Sequence, residues 1–148
     1  MLLTIEKVKE LGACRDGLNW FEQSGCTTVE ETVDKLLKTT IEERYAWSNW
    51  LLSKVLTNEG KIKYEIFAAE LVLTLYEKKY PNDNRPRKAI EATKKYLENP
   101  TDVAACVAVV AAAFRAFRAA RAAYAAAGEY EKTMEQMTEY GLSLINPN

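Results

Sequence analysis

Histidine is missing from all 148 residues. Its absence removes the usual general base at neutral pH, the imidazole half of a nucleophilic triad and the commonest zinc ligand. Cysteine is scarce as well. Cys14, Cys26 and Cys106 are odd in number and none forms a C-x-x-C pair, so reduced thiols in a cytoplasm are expected rather than a disulfide or metal framework. Neither sign of charge dominates: 20 Lys and Arg against 21 Asp and Glu leave a net −1, which argues against broad nucleic-acid binding, a role that needs a strongly basic surface, and no sequence-specific nucleic-acid partner is expected. The start, Met1 to Lys7, reaches charge too soon for a signal peptide. Long apolar runs are also lacking. The longest, Val103 to Phe114, has 12 residues; at ~1.5 Å per residue it covers ~18 Å, short of a ~30 Å hydrocarbon core, so a buried helix is expected and no membrane partner. No phosphate-binding loop, dinucleotide-binding glycine pattern or nucleophile elbow occurs. Neither enzymatic activity nor a metal or cofactor is therefore expected.

What remains is helix. Thr4 is placed to cap a short first helix that Gly12 ends, and Asp16 to Phe21 enters a second, closed by Ser24-Gly25. Thr28-Val29-Glu30-Glu31 and Thr40-Ile41-Glu42-Glu43 both fit the capping box, in which a hydroxyl and a carboxylate satisfy orphan N–H groups reciprocally. The second box predicts a helix from Ile41 to about Thr57, followed by a turn at Asn58-Glu59-Gly60. Lys61 to Lys79 is apolar on nearly every side, apart from an edge carrying Lys63, Glu70 and Glu77; such a helix is packed all round and belongs at the centre. A loop at Pro81 to Arg85 leads into a helix opened by Pro86, where a missing N–H costs nothing, and ended by Asn99-Pro100.

Val103 to Ala127 holds 14 alanines in 25 residues. Its exceptions Val103, Val107, Val110, Phe114, Phe117, Arg121 and Tyr124 alternate spacings of four and three, the rhythm of a helix-packing seam. Gly128 either breaks this helix or is tolerated in it, and Glu129 to Leu142 is helical again. These elements predict one all-α domain over residues 1–148, a compact bundle of about six to eight helices with a long Ala-rich member.

Three stretches carry a family likeness: Cys14-Arg15-Asp16-Gly17-Leu18-Asn19-Trp20-Phe21, then Tyr76 to Ala92, then the Ala-rich helix with periodic Arg and Tyr. The most specific is Pro81 to Ala92, with its Pro-Asn-Asp-Asn-Arg-Pro-Arg run leading into a helix. In this order the chain resembles the immunity proteins of the fifth polymorphic-toxin class, found in bacteria, phages and prophages. The resemblance implies an all-α fold and a role in neutralising a toxin or effector; it supplies no catalytic residues.

Four groups of residues are candidates for a site. Arg85, Arg87 and Lys88 gather at a helix N-terminus and contribute to a net +3 over residues 81–95. They would contact an acidic partner or anion, or else be held by Asp83 and Glu77 to pin the loop. Arg121 lies in the apolar stripe of the Ala-rich helix, where a buried charge needs a partner; Glu70 and Glu77 are the candidates for a structural ion pair. Trp47 and Trp50 share a helix whose main stripe is Ile41, Tyr45, Leu52 and Val55. Trp50 lies opposite that stripe, so it is expected to be more exposed than Tyr45 and to anchor a partner, or to pack on the Trp20-Phe21 segment. Finally, Arg85 and Arg87 with Arg115 and Arg118 would line a pocket for an anionic small molecule. The leading expectation is a non-enzymatic binder of a protein toxin or defence effector, through Trp47, Trp50, Arg85, Arg87 and Lys88. The alternative is a sponge for an anionic nucleotide signal, and self-assembly into a homo-oligomer is a third reading.

Overall fold

The computed structural model describes residues 1–98 and 130–145, without the side chain of Leu75. Among the described residues every regular element is a helix: α1 Ile5–Glu10, α2 Arg15–Ser24, α3 Val29–Leu37, α4 Arg44–Val55, α5 Asn58–Lys79, α6 Arg85–Glu98 and α7 Tyr130–Ser143. The all-α class expected from the sequence is the class observed. The Ala-rich stretch 103–127 and Gly128 lie outside the described residues, as does Cys106. The described residues fall into two compact units, one of residues 1–56 with 141–145, the other of residues 57–98 with 130–140.

In the first unit local signals set the helix ends. The Thr4 hydroxyl accepts from the Lys7 N–H, and Gly12, at φ +85°, turns the chain after α1. Cys14 caps α2, its Sγ accepting from the Gly17 N–H at 3.3 Å. Gly25, at φ +67°, ends it in the left-handed conformation that glycine adopts without strain. Thr28 caps α3 by accepting from the Glu31 N–H at 3.1 Å. Glu31 reaches back to Thr27, one residue beyond a standard capping box, and accepts from its N–H at 2.9 Å and its hydroxyl at 3.0 Å. These bonds, the Thr27 N–H foremost, hold the Glu31 carboxyl below its ordinary pKa. Leu3, Val8, Phe21, Val29, Val33 and Leu51 form the core beneath them, with Leu142 and Ile145 packed on it. A single isolated bridge joins Leu2 and Thr28.

Two helix starts differ from expectation by more than one residue, and α6 begins at Arg85, one residue before Pro86. The helix predicted from Ile41 starts at Arg44, and Thr40 does not cap it; Glu43 holds the cap position with no side-chain bond. The reason lies in what precedes it. Thr39 closes α3 by donating both its N–H and its hydroxyl to the Leu36 carbonyl, and Arg44 N–H bonds to Ile41 O across a separate turn. At the other end, Asn58-Glu59-Gly60 is the first turn of α5 rather than a connecting turn. Thr57 caps it, its hydroxyl accepting from the Gly60 N–H at 3.0 Å.

In the second unit α5 is buried over a broad arc, with Glu70 and Thr74 exposed on the edge opposite. Tyr64, Ile66, Ala68, Ala69, Val72 and Leu73 are all buried. Ile66, Ala69 and Leu73 pack with Ile90 of α6, flanked by Ile62 and Leu97. On α7, Met134 and Met137 are buried, and Tyr140 stacks on Phe67 with ring centroids 4.2 Å apart. Burial pushes the Tyr64 phenol well above its ordinary pKa. No helix among the described residues is long and apolar enough to cross a membrane.

Candidate functional site

The chain leaves α5 at Lys79 and enters α6 at Arg85, and the five residues between them are arranged around one carboxylate. Asp83 accepts from the Tyr76 hydroxyl at 2.7 Å, from Arg85 Nε at 2.8 Å, from Arg85 Nη2 at 2.7 Å and from the Arg85 backbone N–H at 3.1 Å. The last bond meets an orphan N–H of the helix start, and the carboxylate places negative charge where the macrodipole favours it. Cations at a helix N-terminus oppose the macrodipole, and Asp83 offsets that charge here. Next to Tyr76 on α5, Glu77 takes Arg87 in the same two-pronged way, through Nε and Nη2 at 2.7 Å each. Such fork-to-fork pairs are the geometrically specific form of ion pair.

The electrostatics follow from the geometry. The Arg85 guanidinium, and after it the Tyr76 hydroxyl, hold the Asp83 carboxyl far below the usual carboxylate range. Asp83 in turn raises the Tyr76 phenol and the Arg85 guanidinium. Arg87 lowers Glu77, and Glu77 raises Arg87. Tyr80 packs against Tyr76 with centroids 4.9 Å apart, under the Lys79 ammonium at 5.6 Å. The loop is thus tied at both ends, while its outermost cation faces solvent: the Arg85 side chain is 86% exposed and Asp83 beneath it 18%. Lys88, one turn into α6, is exposed as well.

The remaining expected residues are placed as follows. Glu70 pairs with Lys94 at 2.6 Å and Glu77 with Arg87, so both carboxylates expected for Arg121 are engaged within α5 and α6. Arg121 itself, with Arg115 and Arg118, lies outside the described residues. Arg85 and Arg87 each spend Nε and Nη2 on a carboxylate of their own, so an anion there would meet only the outer N–H groups of the two guanidiniums. Trp47 and Trp50, on α4, are half-buried, and Trp50 is more exposed than the buried Tyr45. Trp50 packs on the core, and Trp47 meets Trp20 of α2 with ring centroids 6.4 Å apart at 52°. No cluster of His, Cys, Asp and Glu that could hold a metal ion occurs among the described residues.

Tyr76 is the member of this corner that sequence reasoning missed. Its ring belongs to an apolar stripe, which hides the hydroxyl; the seven-residue step to Asp83, across a Pro-Asn turn, is the signal that would have revealed it. A family model described as Imm-5 like putative immunity protein matches residues 58–137. No curated protein and no solved structure matches the chain.

Proposed function

The chain belongs to the Imm-5 like immunity protein family, and on that premise we propose that it neutralises a toxin or defence effector by protein–protein contact, with no turnover of its own. Its place of action on this reading is the cytoplasm of a bacterium, or of an infected cell if a phage encodes it. The observation that carries the reading is the state of Arg85, held rigidly from below and open above. A free arginine loses rotamer freedom when a partner immobilises it, at a cost of ~0.5–1.5 kcal/mol; here Asp83 has already fixed it. Arginine is enriched among the residues that dominate binding energy at interfaces. A pre-ordered guanidinium on a tied loop, with Lys88 beside it and Arg87 locked behind, suits a partner surface offering carboxylates or carbonyl oxygens. The corner lies inside the stretch that the family model matches.

The test begins with capture of the partner by tagged chain in the producing or infected cell, followed by reconstitution from purified components. Arg85→Glu should raise Kd at least tenfold, mainly through faster dissociation, with the circular dichroism spectrum unchanged. Wild-type affinity in both Arg85→Glu and Arg87→Glu would reject the corner as the contact.

A further inference from the structure

We propose that the first unit holds a second site, unrelated to the Arg85 corner: a hollow of about 360 Å³ that binds an uncharged, flat aromatic molecule. All three tryptophans of the chain, Trp20 of α2 and Trp47 and Trp50 of α4, line it. The 52° tilt between Trp20 and Trp47 keeps them from stacking shut and makes two walls of the hollow. Val8 of α1 and Leu36 of α3 line it too, so side chains from four helices converge on one space. That shape suits a compact molecule better than a strand or helix, which needs a strip along one element. The volume falls in the ~300–1,000 Å³ range of small-molecule sites.

The lining also selects the ligand's chemistry. It includes no Asp, Glu, Lys or Arg, so a charged ligand would lose its hydration without gaining a partner. Of the polar side-chain atoms, the Thr32 hydroxyl donates to the Thr28 carbonyl at 2.6 Å and Cys14 Sγ accepts from the Gly17 N–H, which leaves the indole N–H groups as the donors for a neutral polar substituent on the ring. What the hollow offers is π faces and aliphatic surface, which an aromatic ring fills by offset or edge-to-face packing. Gly17 helps keep it open. A Cβ there would lie 3.3 Å from Cys14 Sγ and 3.7 Å from the Trp47 ring.

Because every tryptophan lines the hollow, tryptophan emission excited at wavelengths beyond tyrosine absorption reports on it alone. The test titrates full-length protein with 4-bromobenzyl alcohol, whose bromine quenches indole on contact, and with 4-bromobenzoate, the same ring bearing a charge. The alcohol should quench saturably with Kd below ~1 mM and the benzoate at least about tenfold more weakly. Ala46→Phe, at an exposed position on the lining, should abolish saturation. In wild-type protein the alcohol should also slow alkylation of Cys14, which lines the hollow, and leave Cys26 unchanged. Linear quenching that is equal for both compounds would overturn the proposal. So would unchanged saturation in a folded Ala46→Phe variant, and if that variant does not fold, an unprotected Cys14 in the wild type decides against it.

Discussion

Asp83 accepts from a phenol, a backbone N–H and two guanidinium nitrogens, so its ionised form is what the loop between α5 and α6 is built on. A carboxyl whose pKa is lower folded than unfolded contributes stability above its unfolded value, about 4 for aspartate, and loses it as pH falls towards the folded value. Asp83→Asn should therefore lower the melting temperature at pH 7, and the gap from wild type should shrink as pH falls below about 4; a gap independent of pH would show that shape, not charge, holds the loop. Gly25 makes a second case at this scale. Its φ of +67° admits a side chain only with strain, and a Cβ there would meet open space, so Gly25→Ala should cost about 1 kcal/mol in denaturant unfolding through backbone strain alone. The pairings of Arg85 with Asp83 and Arg87 with Glu77 were legible as one of two readings of a basic helix start, because the acids stand two and ten residues away. Nothing in the sequence decided between the readings, since choosing between a neighbouring carboxylate and a ligand requires coordinates.

At the scale of the element, helix interiors were easier to read than their ends. The all-round apolar pattern of α5 and the caps at Thr4 and Thr28 are local properties, and local properties survive folding. Thr40 and Thr57 show where that logic stops. Both precede residues able to form a first turn, yet Thr39 and Ile41 accommodate the chain between α3 and α4 in other bonds, leaving Thr40 without a helix to cap. Thr57 succeeds because Leu56 and Thr57 are extended and deliver the hydroxyl to the Gly60 N–H. Thr57→Ala should thus cost about 1 kcal/mol in chemical denaturation, whereas Thr40→Ala, at an exposed residue, should stay within about 0.5 kcal/mol. Equal losses would mean that the assigned start of α4 is wrong.

For the molecule as a whole, the family match over residues 58–137 coincides closely with the unit Thr57–Tyr140, while the tryptophan hollow belongs to the other unit. The two proposals therefore separate: Ala46→Phe should leave partner affinity at its wild-type value, and Arg85→Glu should leave saturable fluorescence quenching intact. Crossed effects would indicate one site instead of two. Absent histidine and the lack of catalytic motifs pointed from the start to a binder, and family membership agrees with an immunity role, but the target's identity is not written in either. The decisive measurement is a titration of the purified toxin or effector's activity with this chain. Residual activity should fall in a straight line to its floor at a fixed molar ratio and stay there on prolonged incubation; progressive inactivation by substoichiometric chain would mean catalysis, and would contradict the account.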